Sequence, residues 1–193
     1  AYYHAHKYGA EGYMLESSFN QRHNHDSYLR HIHACIAENS NTLVVKHHVA
    51  QYNGHFPIWA VIEFFSVGML SYFYRGMKNC DKAKIAEDLY GVNYQTLDSW
   101  LRCLTDLRNR CAHYSRLYYW IFPALPQMPS TEKYIPTRRL YAQIYMLKMM
   151  YPDREKWNDE FVKPLCKLVR NYKSDISLKH LDFPYRWKSM LKY

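Results

Sequence analysis

Apolar residues recur mainly at helical spacing along this chain, and strand-like alternation is scarce. Together with capping residues and Gly and Pro positions, the pattern predicts helices over about 24–38, 42–52, 58–75, 81–90, 95–111, 137–151 and 154–171. Residues 1–22, rich in Tyr and His, are expected to be irregular, and the proline-rich stretch 122–129 is expected to be a loop. We predict an all-α fold in one domain spanning 1–193.

The stretch "IWAVIEFFSVGMLSYFY", residues 58–74, contains a single charged residue, Glu63. Its length lies at the lower edge of what a membrane-spanning helix needs, and it carries an ionisable group near its middle. A membrane span and a central buried helix are both compatible with this pattern. We favour the buried helix and expect no membrane association.

Positive charge is unevenly distributed along the chain, whose formal net charge is +9. Residues 1–132 carry 12 Lys and Arg against 11 Asp and Glu, whereas residues 133–193 carry 14 against 6. A basic segment of this kind, which includes Arg138 and Arg139, predicts a polyanionic partner such as nucleic acid or an anionic membrane surface. A basic, solvated face with no partner is the alternative.

The five cysteines include no C-x-x-C pair, which argues against both a disulfide framework and a zinc knuckle. Reduced thiols and the lack of a signal-peptide pattern predict a cytoplasmic protein. Several histidines occur in i, i+2 pairs, but such pairs do not share a helix face. We therefore expect neither a metal site nor a cofactor.

The stretch "RNRCAHYSRLYYW", residues 108–120, holds the candidate chemistry. Arg108 lies four residues after Leu104 on the apolar stripe of the preceding helix, so it is expected to point inward or into a cleft. Two explanations remain open for such a cation. It could pair with the lone acid Glu63 in the interior, or it could serve a functional cleft.

His113 adds proton transfer to this positive charge. Histidine titrates near neutral pH, and an arginine can hold a phosphate through two parallel hydrogen bonds. The tyrosines and tryptophan of 114–120 could stack on exposed bases or pack into the fold. A helix turns about 500° over five residues, which leaves Arg108 and His113 roughly 140° apart and about 7.5 Å apart along the axis. Either the helix unwinds near Cys111 or a second chain completes the site.

These residues carry a family resemblance. "LRNRCAHYSRLYYW" resembles the R-x4-6-H motif of HEPN ribonucleases and, more narrowly, the Abi-like abortive infection family (AbiD/AbiF type) of bacterial phage-defence proteins. The stretches "HKYGAEGY" (6–13), "FPIWAVIEFFSVGMLSYFY" (56–74) and "LDFPYRW" (181–187) extend the resemblance over nearly the whole chain. In two respects the chain departs from the family, because a usual N-terminal segment is missing and Tyr118-Tyr119 stand where Trp-Asn is common.

The resemblance implies a HEPN-like helical bundle with additional helices that dimerises and cleaves RNA without a metal, in a cleft formed by two motifs. It implies Arg108 and His113 as catalytic residues and Asn109 as the polar residue that contacts or orients the phosphate. Ser115, Arg116 and Glu63 match family positions without an assigned role. We expect RNA contacts from Arg110, Ser115, Arg116, Arg138 and Arg139, and an RNA or protein antitoxin is a possible partner. The alternative is a non-catalytic HEPN-like RNA-binding or scaffold module.

Overall fold

The computed structural model describes residues 1–193 and confirms the all-α prediction. Its only β structure is an isolated bridge between Phe19 and Met77. The chain divides into two compact units, Ala1–Leu89 and Tyr90–Tyr193, which are described in turn. The prediction that they form one domain stays a prediction.

The first unit contains six helices, where four were predicted. They are α1 (Tyr2–Tyr8), α2 (His25–Glu38), α3 (Leu43–Tyr52), α4 (Ile58–Val61), α5 (Val67–Gly76) and α6 (Asn79–Tyr90), whose last residue falls in the second unit. Asn24 caps α2 by accepting a hydrogen bond from the Ser27 backbone N–H at 3.0 Å. Thr42 caps α3 in the same way, accepting from the Val45 N–H at 3.4 Å. The local sequence pattern therefore predicted both helices correctly.

Residues 1–22 were expected to be irregular, but they include the helix α1. A buried carboxylate anchors this helix. Asp81, buried in the first turn of α6, accepts hydrogen bonds from Lys7, from the Tyr8 hydroxyl at 2.6 Å and from the Tyr3 hydroxyl at 3.2 Å. Burial on its own would raise the pKa of Asp81, but the hydrogen bonds from Lys7 and Tyr8 hold that pKa below its usual value. These contacts order α1, which sequence periodicity could not reveal.

The prediction of one buried helix over 58–75 is wrong. α4 ends at Val61, a 3-10 turn follows over Ile62–Phe64, and α5 begins only at Val67. Ser66 caps α5 by accepting from the Met69 N–H at 3.2 Å, so a new helix starts inside the apolar run. Glu63 lies exposed in the 3-10 turn, not in the interior. No helix in the structure has the length and apolar character needed to cross a membrane.

A cluster of buried histidines surrounds Phe19 in the first unit. The Phe19 ring stacks on His23 with a centroid separation of 4.2 Å and lies 5.5 Å from the ring of His4. None of the ring nitrogens of His4 and His23 has a hydrogen-bond partner. Because burial disfavours the charged imidazolium, the pKa of each is lowered to about 4.

The second unit is built around α8, most of which is buried. Its helices are α7 (Tyr94–Ala112), α8 (Leu140–Met150), α9 (Arg154–Trp157), α10 (Lys163–Asn171) and α11 (Trp187–Leu191). The core cluster comprises Tyr141, Ile144, Tyr145, Trp157, Val162, Trp187 and Leu191. The helix predicted over 154–171 is interrupted by a π turn, Asn158–Val162, just before Pro164. Pro164 itself lies in the first turn of α10, where its missing N–H costs nothing.

Acid is expected to destabilise the first unit through its buried histidines. The pKa of His4 and of His23 is about 4 in the folded protein, against 6.5 for an ordinary histidine. The stability that comes from keeping them neutral is therefore fully present above pH 6.5 and is lost as the pH falls toward 4. Between about pH 7.5 and about pH 5, urea unfolding should show a loss of roughly 1 to 2 kcal/mol per histidine. The neighbouring titratable groups are His25, Tyr8, Asp81 and the Ala1 amino group, whose charge also lowers the pKa of His4. The lowered pKa of Asp81 keeps that carboxylate ionised over this range.

Replacing the exposed His6 and His33 by Gln serves as the control, because neither is buried and their loss should leave the pH dependence unchanged. Equal unfolding free energies of the wild type at both pH values would contradict the role assigned to the buried cluster.

Candidate functional site

The candidate motif lies at the C-terminal end of α7, the longest helix of the chain. Asn93 caps its start by accepting from the Thr96 N–H at 2.8 Å. Its buried face runs through Trp100 and Cys103 to Leu107, and the Trp100 indole N–H donates to the Gln127 carbonyl at 2.7 Å. The predicted helix is confirmed, and it fixes the motif residues to a rigid element.

Arg108 does not continue the buried face, so it does not point into the interior, and the alternative that it lies in a cleft stays a prediction. Leu107 is the last buried residue of α7, and Arg108, Asn109 and Cys111 are all exposed. The Arg108 guanidinium makes one long contact, 3.3 Å from its Nη1 to the Asn109 side-chain oxygen. The last turn of α7 therefore presents its arginine to solvent.

α7 ends at His113 with a six-residue hydrogen-bonded turn. The Ser115 N–H donates to the Arg110 carbonyl at 2.9 Å, and the Tyr114 N–H donates to the Cys111 carbonyl at 3.1 Å. These two bonds form a Schellman motif, with His113 as the C-cap residue. The imidazole is exposed and sits at the negative end of the helix dipole, a place that favours cations.

Tyr114 occupies the left-handed position of this motif, where glycine is the usual residue. Its φ is 50°, and its side chain is 98% exposed. A bulky residue in this conformation costs roughly 1–2 kcal/mol, and exposure of the ring brings no packing in return. The chain therefore holds an aromatic ring in solvent, next to His113, at a cost in stability.

The Arg110 side chain is used within its own loop. Its guanidinium carbon lies 3.4 Å from the centre of the Trp120 ring, and its Nη2 donates to the Arg116 carbonyl at 3.0 Å. Its Nε is buried without a partner. Arg110 therefore shapes residues 114–120 and does not present a free guanidinium, unlike the exposed Arg116.

A histidine that belongs to no sequence motif, His180, ties this loop to the C-terminal part of the unit. His180 lies between two phenols, with Nδ1 2.8 Å from the Tyr118 hydroxyl and Nε2 3.0 Å from the Tyr119 hydroxyl. The Tyr118 hydroxyl also accepts from the Ser177 N–H at 2.9 Å. Arg139 donates to the Tyr119 carbonyl at 2.6 Å. The loop after the motif is therefore fixed by contacts with residues 20 to 62 positions away in the sequence.

The predicted site residues thus fall into three groups. Arg108, Asn109, His113, Arg116 and Arg138 are exposed, Arg110 and Arg139 are engaged with the loop, and Ser115 is half-buried with its N–H used in the Schellman motif. Glu63 belongs to the first unit and forms no salt bridge. No three His, Cys, Asp or Glu side chains lie close enough together to hold a metal ion.

Comparison with known proteins gives one match. A family model described as "Abi-like protein" matches residues 1–119, more than half of the chain and including the whole R-x4-H motif. No curated protein and no solved structure matches. The matched range ends within the loop after the motif, so α8 to α11 lie beyond it.

Replacing Tyr114 by Gly should stabilise the protein, because glycine adopts the left-handed conformation without strain. We expect a gain of about 1 kcal/mol in the free energy of unfolding, the relief of strain less the greater flexibility of glycine in the unfolded chain. Thermal and urea unfolding measure it.

Tyr119→Gly is the matched control, because Tyr119 is also left-handed, with φ 63°, but its ring stacks on His180 at 4.2 Å. That variant loses the stacking and the hydroxyl contact and should gain nothing. Stabilisation by both changes, or by neither, would contradict this account of the two tyrosines.

Proposed function

The chain belongs to the Abi-like protein family, and from this premise we propose that it is a HEPN-type endoribonuclease of a bacterial abortive-infection or toxin-type phage-defence system. Family membership associates the chain with abortive infection. The proposal goes further in naming the reaction, the residues and the dimer. We place its action in the cytoplasm, with RNA as substrate and an RNA or protein antitoxin as a possible partner.

The observation that carries the proposal is the exposure of Arg108 and His113 at the end of a continuous helix. Neither forms a salt bridge, and neither packs into the core. An ion-pair network built on the motif would require the Arg108 guanidinium to pair with an acid, and it forms no such pair. This placement favours a catalytic motif over the alternative, a non-catalytic module that retains the motif as an ion-pair network.

The chemistry that these two side chains can perform is phosphodiester cleavage by the neighbouring 2′-hydroxyl of RNA. A base removes the 2′-hydroxyl proton, the oxygen attacks phosphorus, and the bond from phosphorus to the 5′-oxygen breaks as that oxygen takes up a proton. The products are a 2′,3′-cyclic phosphate and a 5′-hydroxyl. We assign His113 to proton transfer and Arg108 to the phosphate, whose charge grows in the transition state.

Two chains are needed for this reaction. α7 stays helical through Ala112, so local unwinding near Cys111 does not turn Arg108 toward His113. On such a helix the two side chains point in directions roughly 140° apart. We therefore propose a homodimer in which arginine from one chain and histidine from the other act on the same phosphate.

The surrounding exposed groups suit RNA. Asn109 can contact the phosphate beside Arg108, and the exposed cations Arg116 and Arg138 can contact the backbone on either side. The strained Tyr114 ring can stack on a base next to the cleaved bond, an interaction worth about 1–3 kcal/mol in single-stranded RNA recognition. A Tyr114→Gly protein that gains stability and loses RNA affinity would support this role.

Purified protein incubated with total RNA in EDTA should cleave it and leave cyclic phosphate and 5′-hydroxyl ends. His113→Ala should abolish cleavage while leaving RNA binding largely intact, because histidine supplies proton transfer more than affinity. Arg108→Lys should also be strongly impaired, since a point charge does not reproduce two parallel hydrogen bonds.

End-group analysis and filter binding measure these effects. Cleavage that EDTA abolishes would overturn the metal-independent mechanism, and a wild-type rate for Arg108→Lys would remove its assigned role. Absence of cleavage under every condition would favour the binding module.

The shared site is tested by mixing two inactive variants, Arg108→Ala and His113→Ala, under conditions that let subunits exchange. In a heterodimer one arginine and one histidine remain on different chains, so one complete pairing exists and part of the activity should return. Activity should stay well below wild type, because only mixed dimers contribute and each has half its pairings.

Each variant mixed with itself is the control. A mixture shown by native mass spectrometry to contain heterodimers, yet without cleavage, would rule out pairing between chains.

A further inference from the structure

A groove of about 500 Å³ lies between α10 and the C-terminal segment of the second unit, away from the motif in sequence. Its apolar wall includes Val169, Leu178 and Trp187. The volume falls within the range of about 300–1,000 Å³ typical of ligand sites. Neither the proposed cleavage site nor the family match, which ends at residue 119, accounts for it.

Three cations line the rim of this groove: Arg170, Lys173 and Lys188. All three are exposed, and none forms a salt bridge. Elsewhere in the unit the exposed lysines of the helices are often neutralised, as Lys156 is by Asp153 and Lys163 is by Asp159. The groove therefore combines apolar side chains with three cations that form no salt bridge, one of which, Lys188, has its Nζ 5.7 Å from the centre of the Trp187 ring.

We propose that this groove binds single-stranded RNA, with phosphates on the three cations and bases against the apolar wall. The proposal deepens the proposed RNA cleavage and rests on it for the identity of the polyanion. The groove would bind a part of the RNA that lies beyond the cleaved phosphate. It therefore contributes affinity and takes no part in the reaction.

The residues around the groove favour RNA over an acidic peptide. Residues 163–193 carry 8 Lys and Arg against 2 Asp and Glu. Exposed tyrosines, Tyr172 and Tyr185, are interleaved with these cations. Cations alternating with aromatic rings are the usual composition of surfaces that follow a single-stranded nucleic acid, because every base offers a face for stacking.

The first measurement is RNA affinity, made in the His113→Ala background so that cleavage does not interfere. The groove variant carries Arg170→Gln, Lys173→Gln and Lys188→Gln. Its matched control carries Lys46→Gln, Lys133→Gln and Lys192→Gln, which removes the same charge from exposed lysines that form no salt bridge and do not line the groove. The probe is a fluorescein-labelled single-stranded RNA of about 15 nucleotides, followed by anisotropy over a range of salt concentrations.

The groove variant should bind this RNA at least about tenfold more weakly than the parent, and the slope of log K against log salt should fall by about two. The control should stay within about threefold of the parent. Unchanged thermal unfolding in both variants shows that the loss comes from the surface and not from misfolding. Equal affinities of groove variant and control overturn the proposal.

The second measurement uses cysteines that the chain already has at informative places. Cys166 lines the groove, Cys111 lies within the motif, and Cys80 is exposed in the first unit. Saturating RNA should slow alkylation of Cys166 by a bulky maleimide, read by mass spectrometry, and leave Cys80 unaffected. Slower alkylation of Cys111 reports RNA at the proposed cleavage site.

The two proposals can therefore fail separately. Protection of Cys111 without protection of Cys166 overturns the groove as an RNA site and leaves the cleavage site standing. Protection of Cys166 without protection of Cys111 supports the groove and counts against the proposed cleavage site. If the groove variant loses RNA binding and Cys166 is protected, the inference holds even where no cleavage is found.

Discussion

The end of α7 is the constraint on which the proposed chemistry depends. α7 stays helical through Ala112, and the left-handed Tyr114 turns the chain immediately afterwards. Arg108 is therefore held on a rigid last turn and His113 at the cap, on different sides of the axis. Both are exposed, so the two side chains are accessible. Their different directions on an ideal helix are the reason for proposing that two chains complete the site.

Local sequence patterns predicted most of the helices, because caps and periodicity act within a few residues. They succeeded for α2, α3 and α7, which begin after the capping residues Asn24, Thr42 and Asn93, each of which accepts a hydrogen bond from a backbone N–H of the first turn. They failed for Glu63 and Arg108. Both lie beside apolar residues in the sequence. The predicted helix 58–75 that contains Glu63 is interrupted, and a new helix begins after the cap at Ser66. The buried face of α7 ends one residue before Arg108. Periodicity predicts which face would be buried, not how far burial extends.

Other features depend on contacts between distant residues, which a single sequence does not reveal. α1 is ordered by the buried Asp81, more than 70 residues away. His180 holds Tyr118 and Tyr119 across a similar distance, and nothing near His180 in the sequence marks it as a partner of the motif loop. The left-handed turn at Tyr114 was equally hidden, because sequence rules assign that conformation to glycine. The residue types of the motif were thus predictable, and its geometry was not.

For charge, too, the sequence shows the residue types and the structure decides how they are used. Residues 133–193 carry an excess of eight positive charges, yet several cations of the unit are used internally. Arg139 donates to the loop, and Lys148 donates to the carbonyls of Met190 and Lys192 at 2.8 Å, where burial lowers its pKa. Donors engaged in this way gain little from a phosphate, because binding would require them to give up existing hydrogen bonds. The proposed RNA affinity should therefore follow the exposed cations that have no internal acceptor, such as Arg116 beyond the end of α7 and Arg170 in the groove, and not the net charge of the segment.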